Sequence, residues 1–217
     1  MKCVIIAAGK GERLQEKGTS KPLVKFLGLP LIERTIRTAK KAGASEFFVV
    51  TGHEKDPLED ILKKLSKDID LPIHTIYNSE WEHSPNGFSV LSVKDKIKDP
   101  FLLLMSDHLF DSSIVRDLFA KSNTTDVVLA IDKKIHNPMI PVDIVTKVKL
   151  DNNKITKIGK KLKSYDGFDT GIFYCTPAIF EALEICINKD MGFLTDAIQY
   201  LATKNKVGTF EIEGRFW

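Results

Sequence analysis

Basic residues and glycines near the start of the chain could bind a polyphosphate. An apolar run over residues 3–8 stops at Gly9-Lys10-Gly11, and Arg13 and Lys21 follow. We expect positive φ at both glycines, which would bring backbone N–H groups close to a ligand, and the basic side chains add positive charge around them. The spacing lacks the third glycine of a dinucleotide fingerprint and fits no Walker loop. The pattern indicates a phosphate site of another kind, with an ordinary glycine turn as the alternative.

Asp107 is the best candidate for a metal ligand. It follows the most apolar stretch of the chain, residues 101–105, and precedes His108. Open α/β sheets bind ligands at the carboxyl ends of their strands, and Mg²⁺ is held there by one or two carboxylates with phosphate oxygens and water. We therefore predict that Asp107 binds Mg²⁺, the alternative being a cap for a helix that begins near Asp111. His108 is left out because Mg²⁺ prefers oxygen ligands.

The loop that precedes residue 90 has the residue types of a base pocket. Asn86 and Ser89 offer amide and hydroxyl groups for the edge of a base, and Gly87 could lie beneath its flat face. Any loop or helix N-terminus uses the same residue types, which is the alternative role. We predict base contacts from Asn86, Gly87 and Ser89.

The elements that must position these residues alternate along the chain. Apolar stretches predict strands at residues 3–8, 46–51, 72–77, 101–105, 127–131, 171–175 and 207–212. Amphipathic stretches predict helices at residues 31–42, 58–65, 88–97, 177–187 and 193–204. Residues 142–150 and 154–158 alternate around Asp151-Asn152-Asn153 and predict a hairpin. This order favours an α/β fold with a mixed, mostly parallel sheet, helices on both faces and a small antiparallel appendage.

Composition excludes several classes of protein. The 217 residues are 43% hydrophobic, and 32 basic against 29 acidic residues give a net charge of +3, too balanced to argue for nucleic-acid binding. The cysteines have neither disulfide nor zinc spacing. The N-terminus is unlike a signal peptide, and no stretch approaches the ~18 apolar residues of a membrane span. We expect a cytoplasmic single domain over residues 1–217, with a nucleotide-binding half over residues 1–125 and an acceptor-binding half over residues 126–217.

The motifs resemble those of a known family. The glycine motif in full is Ala7-Ala8-Gly9-x-Gly11-x-Arg13, followed by Lys21-Pro22-Leu23 and Leu29-Pro30-Leu31-Ile32, and it resembles the signature of nucleotidyltransferases that make activated sugars and alcohols from an NTP and a phosphomonoester. Ser106-Asp107-His108, Asn86-Gly87-Phe88-Ser89 and the stretch from Tyr165 to Phe173 are similar to the cytidylyltransferases that activate L-myo-inositol 1-phosphate with CTP. The resemblance implies a Rossmann-like three-layer fold, Mg²⁺ as cofactor, and CDP-inositol as product.

That branch of the family supplies CDP-inositol for di-myo-inositol phosphate, a solute of heat-adapted microbes. In some members the domain precedes a membrane-embedded synthase. The resemblance thus implies no membrane contact from this chain itself, but a fusion to such a synthase or an association with it is open. The alternatives are a nucleotidyltransferase for another sugar or alcohol phosphate, and a non-catalytic nucleotide-binding regulatory module.

The resemblance also assigns roles to residues. The nucleotide would contact the glycine motif at Ala7, Ala8, Gly9 and Gly11. Arg13 and Lys21 would neutralise the triphosphate, and Lys160 would bind the phosphate of the acceptor. Asp169, Thr170 and Gly171 match the segment that touches the acceptor's hydroxyl groups. The alternative for Lys160 is an ordinary solvated position, because it belongs to a run of lysines.

One expected residue is missing. The resembling family has a second metal carboxylate in a Trp-x-Asp-x-Asp-like segment after a strand, whereas this sequence stops at Trp217. Either the polypeptide continues, or it has been cut, or Glu213 replaces the aspartate. We favour a continuation or a cut, because Trp217 at a true terminus would be an unexplained exposed aromatic residue.

Overall fold

The computed structural model describes residues 1–11, 20–121 and 125–217. The strands in these ranges are β1 (Lys2–Ile6), β2 (Lys25–Phe26), β3 (Leu29–Pro30), β4 (Glu46–Thr51), β5 (Ile73–Tyr77), β6 (Phe101–Met105), β7 (Val127–Asp132), β8 (Lys147–Asp151), β9 (Lys154–Gly159), β10 (Gly167–Cys175) and β11 (Val207–Glu211). The helices are α1 (Leu31–Lys41), α2 (Lys55–Ile69), α3 (Asn86–Leu91), α4 (Ser112–Lys121), α5 (Ala178–Ile187) and α6 (Leu194–Ala202). Within the described residues, no helix has the length and apolar character needed to cross a bilayer.

A nine-stranded mixed sheet is the centre of the fold, with the strand order β5-β4-β1-β6-β10-β7-β11-β9-β8. Strands β5, β4, β1 and β6 are parallel. Strand β10 is antiparallel to both β6 and β7, and β8 and β9 form the antiparallel edge. The predicted α/β fold with a mixed, mostly parallel sheet and an antiparallel appendage is therefore confirmed.

Helices cover both faces of this sheet because each has one apolar stripe. Ile32, Ile36 and Ala39 recur at helical spacing on α1 and are fully buried, packing with residues of α2 and α4 against one face. Helices α3, α5 and α6 cover the other face, where Val90 and Leu183 are fully buried. The three layers hold the strands rigidly, so that their carboxyl ends have fixed positions.

The register of the central strands brings two predicted motifs together. Lys2–Ile6 of β1 pairs in parallel with Phe101–Met105 of β6, with Ile6 opposite Met105. The Ser106 N–H continues the pairing by donating to the Ile6 carbonyl oxygen at 3.2 Å. Residues 7–11, here called the glycine loop, follow β1, and Asp107 follows β6. The glycine loop and Asp107 therefore lie next to each other at the carboxyl ends of these strands.

Several predicted elements have other bounds in the structure. Strand β1 ends at Ile6 rather than at residue 8, α2 covers Lys55–Ile69 rather than residues 58–65, and β10 begins at Gly167 rather than at residue 171.

Two further predictions include residues that belong to neither a helix nor a strand. The helix predicted over residues 88–97 is α3, which ends at Leu91. Turns follow it, and in one of them the Lys96 N–H donates a hydrogen bond to the Val93 carbonyl oxygen. The first hairpin strand begins at Lys147 rather than at residue 142. The Pro141 carbonyl accepts hydrogen bonds from the N–H groups of Ile144 and Val145, so these residues form a turn instead of a strand.

Candidate active site

Asp107 lies between the side chains of Lys21 and His108 at the end of β6. Its Oδ1 lies 2.8 Å from Nδ1 of His108, and its Oδ2 forms an ion pair with Lys21. Burial raises the pKa of Asp107, but the hydrogen bond and charge of His108, together with Lys21, outweigh burial and hold the pKa well below its usual range. The carboxylate is therefore ionised at neutral pH, as a metal ligand must be.

Asp107 is not the cap of the following helix. Asp111 has that role, because its Oδ1 accepts a 2.8 Å hydrogen bond from the Ser113 N–H at the start of α4. The alternative role of Asp107 as a helix cap is thus wrong, and its carboxylate is available to bind a ligand.

The glycine loop depends on Gly11 more than on Gly9. Gly11 has φ +67°, and a Cβ there would lie 2.5 Å from Cβ of Lys21. Gly9 does not have positive φ, and a Cβ at Gly9 would meet nothing within 4 Å. The expectation of positive φ is therefore confirmed for Gly11 and wrong for Gly9, because the chain turns at the residue that passes close to Lys21. Arg13 lies outside the described residues.

A small cavity of about 340 Å³ lies beside the glycine loop. The predicted nucleotide-binding residues that line it are Ala7, Ala8, Gly9, Gly11, Asn86 and Ser89, together with Lys21 and Asp107. All the predicted nucleotide-binding residues except Gly87 therefore line one cavity.

Two polar side chains of the small cavity have hydrogen-bonding groups to spare. Oδ1 of Asn86 accepts a 3.0 Å hydrogen bond from the Leu194 N–H, and Nδ2 has no hydrogen-bond acceptor among the residues that the structure describes. Oγ of Ser89 accepts a 3.0 Å bond from Nδ2 of Asn78, which leaves the Ser89 hydroxyl proton as a donor. Both residues can therefore donate to acceptor atoms of a ligand.

A larger cavity of about 1090 Å³ adjoins the small one. Lys160, Asp169 and Gly171 line it, and so do Lys21 and Asp107, which the two cavities share. Lys160 is exposed, and its carbonyl oxygen accepts a 2.6 Å hydrogen bond from Nζ of the buried Lys147. The neighbouring Lys161 lines neither cavity. Three of the predicted acceptor residues, Lys160, Asp169 and Gly171, thus line a separate space that meets the nucleotide side at Lys21 and Asp107.

Two predicted site residues line neither cavity. Gly87 is packed against residue 192, where a Cβ on Gly87 would lie 2.3 Å from the Gly192 carbonyl oxygen. Thr170 is fully buried, and its hydroxyl donates a 2.8 Å hydrogen bond to the Ala130 carbonyl on β7. The structure therefore gives Gly87 and Thr170 packing roles, and we leave both out of the site.

The last residue of the sequence belongs to the cavity wall. Trp217 is partly buried, its ring stacks 6.4 Å from the ring of His108, and its Nε1 donates a 2.9 Å hydrogen bond to Oδ2 of the buried Asp132. The expectation of an unexplained exposed aromatic residue is therefore wrong. Sequence reasoning missed Asp132, although it directly follows an apolar strand stretch, as Asp107 does.

Among the described residues, Asp107 is the carboxylate that lines both cavities. They contain no group of three or more His, Cys, Asp or Glu side chains that could hold a metal. Glu213 is exposed and lines neither cavity, so its suggested role as a substitute ligand finds no support in its position. Asp107 alone fits an ion such as Mg²⁺, which takes one or two carboxylates and completes its shell with phosphate oxygens and water.

Asp169 lines the large cavity with a carboxyl group that ionises at a higher pH than usual. Its Oδ1 accepts a 2.7 Å hydrogen bond from the Gly171 N–H. Burial raises the pKa of Asp169 to about 6, although the Gly171 N–H and the charge of His108 act in the opposite direction. This pKa is above the value of about 3.9 in the unfolded chain, so the folded state binds the Asp169 proton more tightly than the unfolded state does. Protonation of Asp169 therefore stabilises the folded state fully below pH ~4, and this stabilisation is lost as the pH rises through ~6.

Asp169→Asn is therefore expected to flatten the pH dependence of stability. The amide keeps the oxygen that Gly171 needs but has no charge to bury. When the pH rises from about 4 to about 7, the free energy of unfolding of the wild type should fall by about 1 to 2 kcal/mol more than that of the variant. This is less than the whole pKa shift would give, because water partly screens the side chain. Denaturant unfolding at both pH values measures the difference, and parallel pH profiles would contradict the assignment.

Comparisons with known proteins identify the family of the chain. The chain is 32% identical over 219 residues to the "Bifunctional IPC transferase and DIPP synthase" of Rubrobacter xylanophilus, covering 98% of this chain and 47% of that protein. It is 32% identical over 216 residues to the protein of the same name from Aquifex aeolicus, covering 99% of this chain and 47% of that protein. The chain thus spans about half the length of these relatives.

Solved structures share the fold. The inositol-1-phosphate CTP transferase from T. maritima has a TM-score of 0.86 at 23% identity, over 97% of this chain and 84% of that chain. A putative glucose-1-phosphate thymidylyltransferase from Bacillus anthracis has a TM-score of 0.84 at 17% identity, over 100% of this chain and 88% of that chain. The sequence profile of the MobA-like NTP transferase domain matches residues 3–154, which is more than half of the chain. The chain therefore belongs to the MobA-like NTP transferase domain family.

Proposed function

We propose that the chain transfers a cytidylyl group from CTP to L-myo-inositol 1-phosphate and releases pyrophosphate. The observation that carries this proposal is that two adjoining cavities share Lys21 and Asp107. A nucleoside triphosphate in the small cavity and a phosphomonoester in the large one would meet at these side chains. The choice of CTP and inositol 1-phosphate is supported by the names of the relatives and of one structural neighbour.

The nucleotide side of the reaction uses the glycine loop and Lys21. The triphosphate would lie along residues 7–11, where Gly11 allows the close approach between the loop and Lys21. The ammonium group of Lys21 would then exchange part of its contact with Asp107 for the phosphate oxygens. Arg13, which lies outside the described residues, is proposed to add a second charge on the triphosphate.

The metal side of the reaction uses Asp107. Nucleotidyltransferases of this family generally use a divalent metal, and we propose Mg²⁺. Asp107 would hold the ion, which supplies charge neutralisation and orientation for the phosphate oxygens when it is bound. His108 keeps the carboxylate in place through its 2.8 Å contact.

The chemical step is a single displacement at phosphorus. An anionic oxygen of the acceptor's phosphate forms a bond to the α-phosphorus of CTP, the bond from the α-phosphorus to the bridging oxygen of the β-phosphate breaks, and pyrophosphate leaves with that oxygen. The attacking oxygen is already ionised near neutral pH, so the step needs neither a general base nor a covalent enzyme intermediate. The residues contribute positioning and charge stabilisation.

Lys160→Ala is expected to weaken use of the acceptor by about ten- to a hundredfold, because it removes a charge-assisted contact of about 1.5–3 kcal/mol to the acceptor's phosphate. The Michaelis constant for CTP should hardly change, since Lys160 lines only the large cavity. Steady-state kinetics with inositol 1-phosphate at saturating CTP measure the effect.

Lys161→Ala is the matched control for this prediction. Lys161 is exposed and lines neither cavity, so its removal should be nearly silent. Equal losses in the two variants would contradict the assignment of Lys160, and so would two silent variants.

The substrate pair is tested by pyrophosphate release with each NTP against a panel of phosphomonoesters. We expect the highest efficiency with CTP and inositol 1-phosphate. A higher efficiency with another pair would identify a nucleotidyltransferase for another sugar or alcohol phosphate. Nucleotide binding without any turnover would favour the regulatory module.

We further propose that the chain works in the cytoplasm and delivers its product to a membrane-embedded synthase, as a fusion or as a separate partner. The support is that the matching relatives are named as bifunctional and are about twice as long as the part that matches. Nucleic acid has no part in this proposal.

A further inference from the structure

Lys147 is a buried lysine that the proposed mechanism does not use. It belongs to β8 and is 5% exposed, and no ion pair within the described part of the chain includes it. Its Nζ donates a 2.6 Å hydrogen bond to the Lys160 carbonyl oxygen and lies 5.7 Å from the centroid of the Tyr165 ring. An ammonium group buried without a carboxylate costs free energy, so an apolar side chain of the same length would fit this position at least as well. Stability alone therefore does not account for a lysine here.

Lys147 pairs with both strands that lead to the predicted acceptor residues. On one side it lies opposite Gly159, the last residue of β9, and Lys160 comes next in the chain. On the other side it lies opposite Phe168 of β10, and Asp169 comes next. The Asp169 N–H donates a 2.9 Å hydrogen bond to the carbonyl oxygen of the residue before Lys147. Strand β8 thus connects the two parts of the large cavity wall that would contact the acceptor.

The backbone at Lys160 depends on the Lys147 side chain. The pairing of β8 with β9 ends at Lys147 and Gly159, one residue before Lys160. With the described residues Lys160 forms no backbone–backbone hydrogen bond, so the bond from Nζ of Lys147 holds its carbonyl oxygen. The backbone conformation sets the directions that a side chain can take. Loss of this bond would therefore release the Lys160 side chain from one fixed direction.

Lys147 itself lines neither cavity, whereas Lys160 lines the large one. A ligand in the large cavity would therefore meet Lys160 and not Lys147. We infer that Lys147 is a positioning residue for the acceptor: its buried ammonium group fixes the backbone that presents Lys160 to the acceptor's phosphate. The inference rests on the proposed function insofar as Lys160 binds that phosphate.

Lys147→Met tests the inference, because it keeps the length of the side chain and removes the donor. At saturating CTP the efficiency with the acceptor should fall about three- to tenfold, less than in Lys160→Ala, since Lys160 is still present but is no longer held. The Michaelis constant for CTP should stay within about twofold of the wild-type value. The melting temperature should stay within about 3 °C of the wild-type value or rise, because a buried charge is removed.

Lys157→Met is the matched control for this variant. Lys157 is exposed on β9 and lines neither cavity, so the same change there should leave the kinetics and the melting temperature near the wild-type values. Equal losses of acceptor efficiency in Lys157→Met and Lys147→Met would overturn the inference, because they would reflect the removal of any positive charge from the hairpin.

A double-mutant cycle separates positioning from a purely structural role. In the Lys160→Ala background, Lys147→Met should cause no further loss of acceptor efficiency, because Lys147 acts through Lys160. A further loss of the same size as in the wild-type background would overturn the inference, and so would a silent single variant. A melting temperature of Lys147→Met below the expected range would also overturn it, because stability would then account for the lysine.

The affinity for the acceptor is measured without turnover. Calorimetry with L-myo-inositol 1-phosphate and α,β-methylene CTP, which cannot undergo the transfer, should show about three- to tenfold weaker binding of the acceptor to Lys147→Met than to the wild type. Equal affinities would overturn the inference alone. A wild type that binds the acceptor but releases no pyrophosphate from CTP would refute the proposed function alone, because the ratio of affinities still tests Lys147. A wild type that does not bind this acceptor would overturn both.

Discussion

Asp107→Asn should lower turnover by about a thousandfold, or about 4 kcal/mol of transition-state stabilisation. The amide keeps the size and one oxygen of the side chain but loses the charge that faces Lys21 and would hold Mg²⁺. The dependence of the rate on Mg²⁺ concentration should disappear with it. Turnover at a range of Mg²⁺ concentrations measures both effects.

Asp111→Asn is the control for this variant. Asp111 lies in the same segment, but its carboxylate accepts the N–H of Ser113 and lines neither cavity. An amide oxygen can accept that bond too, so turnover should stay near the wild-type value. Wild-type turnover in Asp107→Asn would end the assignment of Asp107 as the metal ligand.

Lys21→Ala should lower the efficiency with CTP by about a hundredfold, because a cation on the triphosphate and on the leaving pyrophosphate is worth about 3 kcal/mol. The loss should be smaller for the acceptor, although Lys21 lines both cavities. Part of the effect comes from Asp107, whose side chain is 18% exposed and would lose its cationic partner. Kinetics with each substrate varied in turn separate the two losses.

Lys25→Ala controls for a general effect of removing a lysine from this stretch. Lys25 is exposed on β2 and lines neither cavity, so the variant should behave like the wild type. A loss of the same size for CTP and for the acceptor in Lys21→Ala would point to misfolding and would contradict the role of Lys21 on the triphosphate.

Strand ends were the part of the site that the sequence predicted well. Asp107 follows an apolar run, and the glycine loop follows another, so their meeting required only that the two runs be neighbouring parallel strands. The signal is physical, because carboxyl ends of parallel strands lie at one edge of a sheet. Asp132 is the last residue of β7 and carried the same signal, and it was missed because no motif drew attention to it.

Long-range packing explains the residues that the sequence misplaced. The need for glycine at Gly87 comes from the carbonyl of Gly192, which is more than a hundred residues away in the chain. Thr170 and Asp169 are neighbours on β10, but only Asp169 lines the cavity. Adjacent strand residues point to opposite faces, and a motif of adjacent residues does not tell which of them faces a ligand.

Phosphorus NMR of the protein incubated with CTP, L-myo-inositol 1-phosphate and Mg²⁺ tests the central claim most directly. The signals of the triphosphate and of the phosphomonoester should fall together, while a diphosphate diester and pyrophosphate appear in equal amounts. Unchanged signals under conditions where calorimetry detects bound CTP would contradict the proposed transfer and would leave a nucleotide-binding module.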